Sequence, residues 1–188
     1  MPRQPKYTRE EIVEGAFSLV RAEGEAALSA RRLAGVLGCS TAPLFVAFSS
    51  IEELLDAVRE RAWAHYQGYL RRGMQESALP FKGAGLAYVR FAREEPHLFR
   101  MFFMKGSFAV THYMPATDPS EGAVRAALEG THGVPTETAR AIYNHMSVYV
   151  HGLASLCAAG NATFTEEDVD RLLTEAFVAV KAYCTDHK

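Results

Sequence analysis

The chain has 188 residues, 48% hydrophobic and 22% charged, proportions that bury a real core and exclude a disordered or collagenous chain. Twenty Lys plus Arg stand against 22 Asp plus Glu, a formal net charge of −2. No bulk charge excess therefore announces a nucleic-acid or membrane partner, and any such partner has to be met by a local patch.

Cys39, Cys157 and Cys184 are widely spaced, with no CxxC pair and no histidine at zinc-ligand distance, which reads as reduced thiols in the cytosol rather than a disulfide or zinc framework. The first seventeen residues carry basic groups but no continuous apolar run and no small-residue cleavage site, so they do not read as a secretory signal. With no stretch near the ~18 apolar residues that span a bilayer, the expectation is a cytoplasmic protein without membrane contact. Asn161-Ala162-Thr163 matches a glycosylation pattern and, without an export signal, reads as chance.

Strand signals are nearly absent and helical periods are frequent. Ile12, Ala16, Phe17 and Val20 recur at helical spacing behind Thr8 and Glu11, which can cap each other's backbone donors, and Gly24 stops that helix. The next opens at Ser29 and runs through Leu33, Ala34 and Leu37 to Gly38. A short one follows from Ser40, with Leu44 and Phe48 as its buried side. Ser50 and Glu53 form a second capping box, opening a longer helix over 51–72 that carries Leu54, Leu55, Val58, Ala62 and Tyr66 and leads out of the first three. Gly73, Pro80, Gly83 and Gly85 read as breakers, so the next helix is placed from Ala84. Pro96 interrupts it, Leu98 to Met104 make a short apolar helix, and 106–119 is a loop rich in turn residues. Helices follow over 120–130, from Thr136 as cap to Ala159, and from the box of Thr165 and Asp168 to Tyr183. The sum is an all-α chain of about nine helices, with a first domain at 1–50 and a second at 51–188.

The most informative spacing is Leu33-Ala34-x-x-x-Gly38-x-x-x-x-x-Leu44. A helix-turn-helix needs a small residue where two helices cross, a glycine for the left-handed turn between them, and apolar anchors on both sides. Thr41, Ala42, Phe45 and Val46 would then be presented to a major groove, with Pro43 tolerated in the first turn.

These features, in this order from Thr8 to about Arg61, resemble the TetR family of transcriptional regulators, on Ser29-Ala-Arg-Arg-Leu-Ala-Gly-Val-Leu-Gly-Cys-Ser40 and on Leu44-Phe-Val-Ala-Phe-Ser-Ser-Ile-Glu-Glu-Leu-Leu55. Phe91-Ala-Arg-Glu-Glu-Pro-His-Leu-Phe-Arg-Met-Phe-Phe103 is similar to a segment of several TetR-type C-terminal domains. The resemblance implies an all-α homodimer whose N-terminal helices bind a palindromic DNA operator. Middle helices enclose a small-molecule effector, and the last two helices, 136–159 and 165–183, pair across a two-fold axis. The chain departs from the family where Tyr is usual at Phe45, an aromatic or His at Val46, His at Ala47 and Lys at Ile51. A phenol and an ammonium that hold phosphate are thus missing, and each lost phosphate contact removes about one unit from the salt slope. Arg3, Lys6 and Arg9, ahead of the first acid Glu10, are the natural compensators, followed by Arg31 and Arg32. The residues expected at DNA are Arg3, Lys6, Arg9, Ser29, Arg31, Ser40, Thr41, Ala42, Phe45 and Val46, the last two through thymine methyls.

Between Trp63 and Tyr149 bulky adaptable side chains concentrate, which suits an apolar or aromatic effector with a few placed polar groups. Trp63, Tyr66, Phe91, Phe99, Phe102, Phe103, His112, Tyr143, His145, Met146 and Tyr149 are the expected lining, against the plainer reading of each as core. His145 and His151 are six apart and share no helix face, with no carboxylate at HExxH spacing, so no metal is expected. There is no GxSxG, P-loop or dinucleotide fingerprint, and the paired carboxylates sit at helix starts or in solvated positions. The expectation is a ligand-responsive repressor with no cofactor and no catalysis. The alternative is a small-molecule or protein-partner module with a weakened DNA-reading surface.

Overall fold

The computed structural model describes residues 7–104, 110–111, 114–115 and 120–186. Among them are nine α-helices: α1 (Arg9–Glu23), α2 (Ala30–Leu37), α3 (Ala42–Ala47), α4 (Ile51–Glu76), α5 (Pro80–Glu94), α6 (Pro96–Phe103), α7 (Ser120–His132), α8 (Thr136–Ala158) and α9 (Glu166–Asp186). A 3₁₀ turn spans Glu25–Ala27, and Val110–Thr111 pairs antiparallel with Met114–Pro115. The fold is all-α. The chain divides into two compact units, Met1–His65 and Tyr66–Lys188, and α4 runs through the division.

In the first unit α1 opens with the reciprocal box its sequence spells: the Glu11 N–H donates to Thr8 Oγ1 at 3.2 Å and the Thr8 N–H to Glu11 Oε2 at 2.8 Å. Gly24 ends it at φ 88°, a value open to glycine at no steric cost. Ser29 caps α2 by accepting the Arg32 N–H at 3.2 Å. Ile12, Val20, Leu33, Leu44, Leu54 and Val58 are all but fully buried, each worth about 1.5–3 kcal/mol against exposure. At α4 the expected box shifts by one residue. The Glu53 N–H does donate to Ser50 Oγ, at 3.1 Å, but the Glu53 carboxylate reaches back to the N–H and hydroxyl of Ser49, both at 2.7 Å.

The second unit is organised around α5, which touches α6, α7, α8 and α9. This helix starts a turn before Ala84, where the sequence placed it. Pro80 occupies the first turn, in which its missing N–H has no intrahelical partner to lose. Gly83 lies inside the helix because a neighbour leaves it no room for a side chain. A Cβ there would stand 2.1 Å from the Gly73 carbonyl oxygen of α4, and one on Gly73 would stand 2.5 Å from the Gly83 oxygen. The two glycines let two helix backbones cross in direct contact.

Rings fill the interior beside that crossing. Phe99 and Phe103 lie 5.1 Å apart, Tyr66 and Phe91 5.2 Å, and Tyr88 and Phe103 5.3 Å between centroids, all three pairs tilted rather than stacked face to face. Pro96 begins α6. From α6, Arg100 donates to the Ala158 carbonyl through Nη2 at 2.6 Å and Nε at 3.0 Å, placing a cation at the negative end of α8. Thr136 stands at the first helical position of α8 and does not cap it; Pro135 precedes it with no side-chain bond to offer. Gly160 turns the chain at φ 73°. The box of Thr165 and Asp168 opens α9, the Asp168 N–H donating to Thr165 Oγ1 at 3.1 Å and the Thr165 N–H to Asp168 Oδ2 at 3.1 Å. No described helix is long and apolar enough to cross a membrane.

Candidate DNA-reading helix and candidate ligand cavity

α2 ends on Gly38 in the left-handed region, φ 63°, while the Cys39 N–H returns to the Ala34 carbonyl at 3.0 Å. This satisfies the end of the helix and turns the chain into α3. α3 begins at Ala42, later than the Ser40 start read from the sequence. Pro43 has no N–H for the carbonyls behind it, so the first available amides, Leu44 and Phe45, both turn to the Thr41 oxygen at 3.1 and 3.4 Å. Leu44, 1% exposed, anchors the helix, while Phe45 at 53% and Val46 at 80% stand out in solvent. Ser40, Thr41 and Ala42 are exposed beside them. Val36 of α2 is a further exposed apolar residue, at 51%.

The cations divide into two groups. Arg31 is exposed and meets no carboxylate among the described residues. Ser29 is exposed as well, its oxygen engaged as the cap of α2. Arg32 is tied to Glu23 at 2.5 Å. Arg9, expected at a phosphate, keeps an exposed side chain that bonds to groups of its own unit. Its Nη1 donates to the Ala47 carbonyl at 2.6 Å, its Nη2 pairs with Glu53 at 2.9 Å, and its guanidinium lies 3.9 Å from the centroid of the Phe48 ring. Arg9 thus staples the end of α3 to the starts of α1 and α4, because Ala47 offers a carbonyl that the helix end leaves unpaired. The hydroxyl and N–H of Ser49, with the Arg9 guanidinium, hold the Glu53 carboxyl down at about 2. The Tyr7 hydroxyl donates to the Leu37 carbonyl at the end of α2. Arg3 and Lys6 lie outside the described residues.

In the second unit a cavity of about 130 Å³ is lined from five helices. α4 gives Tyr66 and Leu70; α5 and the residue before it give Leu79, Phe81, Lys82, Ala84, Gly85 and Tyr88; α7 gives Val124 and His132. Tyr143, Met146, Ser147 and Val150 come from α8, and Leu173, Thr174 and Phe177 from α9. Of the expected lining, Tyr66, Tyr143 and Met146 are there. Phe91, Phe99 and Phe102 are instead buried core, at 0%, 0% and 4% exposure, and Phe103 packs into the ring cluster on Tyr66 and Tyr88. His145 and Tyr149 face solvent because they lie on the far side of α8 from 143, 146, 147 and 150, which share one helical stripe. Trp63 belongs to the first unit, and His112 lies outside the described residues.

The polar groups of the wall are mostly occupied. Tyr88 Oη meets His151 Nδ1 at 3.1 Å, and His151 Nε2 meets Ser155 Oγ at 3.3 Å. Burial pushes the His151 imidazole below its ordinary pKa. Thr174 Oγ1 donates to the Asp170 carbonyl at 2.7 Å, and Lys82 Nζ pairs with the Asp170 carboxylate at 2.6 Å. His132 is packed 4.8 Å from the Phe177 ring; desolvation, then the nearby Lys181 charge, push its pKa down. A second recess of about 260 Å³ between α5 and the start of α9 is of another kind, with Glu166 paired to Arg93 at 2.9 Å and Arg90 at 3.7 Å. Among the described residues no three His, Cys, Asp or Glu side chains come together as a metal site.

The family model described as "Tetracyclin repressor-like, C-terminal domain" matches residues 81–180, the stretch that supplies most of the cavity wall. Among solved structures, a protein of unknown function from Rhodococcus sp. RHA1 superimposes with a TM-score of 0.59 at 23% identity, over 96% of this chain and 98% of that one. At that identity the likeness is one of fold. No curated protein matches the chain. The family match extends over more than half of the 188 residues and takes in most of the residues that line the cavity: the chain belongs to the TetR family.

Proposed function

We propose that the protein is a DNA-binding transcriptional repressor that works in the cytoplasm as a homodimer and leaves a palindromic operator when a small, largely apolar effector occupies the cavity. It binds and does not catalyse. The observation that carries this reading is α3, a short helix set on a left-handed glycine turn, anchored by one buried leucine, with Thr41, Ala42, Phe45 and Val46 exposed beside it. A groove-reading helix has that form. Phe45 and Val46 suit thymine methyls, and Arg31 suits a phosphate. Arg3 and Lys6 join it there, whereas Arg9 serves by holding α3 in place. Dimerisation through α8 and α9 is supported by the apolar groups those helices leave in solvent, Val148 at 51%, Leu156 at 42%, Val178 at 62% and Tyr183 at 58%.

Release follows from a population shift. An effector that binds better to the dimer whose reading helices are misaligned for successive grooves drains the DNA-bound state, by no more than its differential affinity. α4 is suited to such coupling, since the helix that begins at Ile51 also lends Tyr66 and Leu70 to the cavity.

A second reading, a module that takes a protein partner, is favoured by the exposed trio Val36, Phe45 and Val46. Fluorescence anisotropy of the protein with duplexes tiled across the DNA flanking its own gene, over a salt series, separates the two. The regulator reading expects saturable, salt-dependent preference for one near-palindromic tile. Arg31→Ala should then weaken all sequences and lower the salt slope by about one unit, while Thr41→Ala chiefly relaxes base preference. Indifference of every tile to sequence, with or without these substitutions, would favour the protein-partner reading.

A further inference from the structure

The size and wiring of the cavity narrow what it can hold. Its space arises where α5 and α8 carry small residues, Ala84, Gly85 and Ser147, among larger apolar ones. At about 130 Å³ it is close to the ~150 Å³ of an apolar cavity that takes up one benzene ring, and well below the ~300 Å³ at which drug-sized sites begin.

The charge balance narrows it further. Lys82, the one Lys, Arg, Asp or Glu among the described lining residues, is already neutralised by Asp170 at 2.6 Å. A carboxylate entering the cavity would have to share Lys82 with the Asp170 carboxylate and meet its repulsion, and an ammonium would find no carboxylate in the described wall. His132 is pushed toward its neutral form by desolvation and by the nearby Lys181 charge. Tyr88 is bonded to His151 and Thr174 to Asp170, while Ser147 and His132 make no hydrogen bond to another described residue.

We propose that the cavity selects a neutral molecule of one-ring size carrying a single hydrogen-bonding group, the class of phenols and benzylic alcohols, and discriminates against the matching carboxylates and amines. This rests on the reading of the cavity as the effector site.

The test uses the full chain without DNA and measures calorimetric binding of benzyl alcohol, toluene, benzoate, benzylamine and 1-naphthol. Benzyl alcohol should bind saturably, with benzoate, benzylamine and the two-ring naphthol each weaker by roughly tenfold or more. Ser147→Leu, which fills the cavity, should abolish binding. Ser147→Ala should keep ring binding while shrinking the preference for benzyl alcohol over toluene, and this variant carries the test if the leucine variant does not fold. Benzoate or naphthol binding as tightly as benzyl alcohol would overturn the proposal, as would the absence of binding by any one-ring compound. A separate anisotropy measurement on the protein–DNA complex keeps the two readings apart: benzyl alcohol that binds the protein but leaves the complex intact upholds the selectivity and refutes the effector role.

Discussion

Placing a methyl group at the crossing of α4 and α5 tests the packing of the second unit, and Gly83→Ala does so with the smallest change. In a helix interior the substitution gains ~1 kcal/mol from backbone propensity. At Gly83 the new carbon would lie 2.1 Å from the Gly73 oxygen and 2.6 Å from the Ser77 Cβ. A relaxed carbon–oxygen contact needs roughly 3.3 Å, so the backbones must part by about 1 Å, at the ~1–3 kcal/mol typical of overpacking, with loosening of the neighbouring ring cluster taking the cost to its upper end. The net expectation is a loss of ~1–2 kcal/mol. Gly68→Ala in α4 is the control, because its Cβ meets only the end of Arg72 at an ordinary 3.5 Å, and it should gain up to ~1 kcal/mol. Urea unfolding followed by circular dichroism, at one fixed protein concentration because any self-association shifts apparent stability, should separate the two variants by roughly 1 M in midpoint. If Gly83→Ala raises the midpoint as Gly68→Ala does, the backbone crossing described above is not how these helices pack.

Three further expectations follow. The Glu53 carboxyl, held at about 2 from an ordinary 4.5, favours the folded state above pH 4.5 and loses that contribution as pH falls through 2, since the unfolded chain binds the proton first. Glu53→Gln should therefore be less stable than the parent at pH 6, with the gap closing toward pH 2, and carboxyl NMR should find Glu53 titrating well below 4.5. Arg9→Ala should speed hydrogen exchange of the Leu44 and Phe48 amides about fivefold, the worth of one ordinary hydrogen bond, with the core of the second unit unchanged; unchanged α3 amides would count against the staple. Where the parent sediments as the proposed dimer, Val178→Glu, at a position 62% exposed, should sediment as a folded monomer, and a variant that stays dimeric would count against α9 as the proposed interface.

Much of the fold was legible because its punctuation is local. Thr8 with Glu11, Thr165 with Asp168, and the glycines at 24 and 38 act through bonds three or four residues away or through their own φ. The signals that misled are those whose meaning depends on a distant neighbour. Gly83 is a breaker by propensity and a helix residue by contact with Gly73, and Pro80 stops a helix or starts one according to which turn it enters. Arg9 reads as a free cation until Ala47 and Glu53 are brought beside it. The cavity was the least legible part. Crowded aromatic residues drew attention to Phe91, Phe99 and Phe102, yet large side chains fill space, and an opening forms where small ones leave it. The i, i+4 pair Leu173 and Phe177, facing Ala84, Gly85 and Ser147, is a combination that a search for small residues opposite large ones could have found.

The bond between Tyr88 and His151 has one more consequence. An imidazole kept neutral by burial carries a single N–H, on one nitrogen or the other. If Nε2 holds it, it points to Ser155 and the phenol of Tyr88 donates to Nδ1; if Nδ1 holds it, the phenol accepts and its own hydrogen turns elsewhere. Moving one proton between two ring nitrogens thus switches Tyr88, a residue of the cavity wall, between donor and acceptor without displacing a heavy atom. The state of the wall is written in the tautomer of a histidine outside it, where nitrogen chemical shifts can read it.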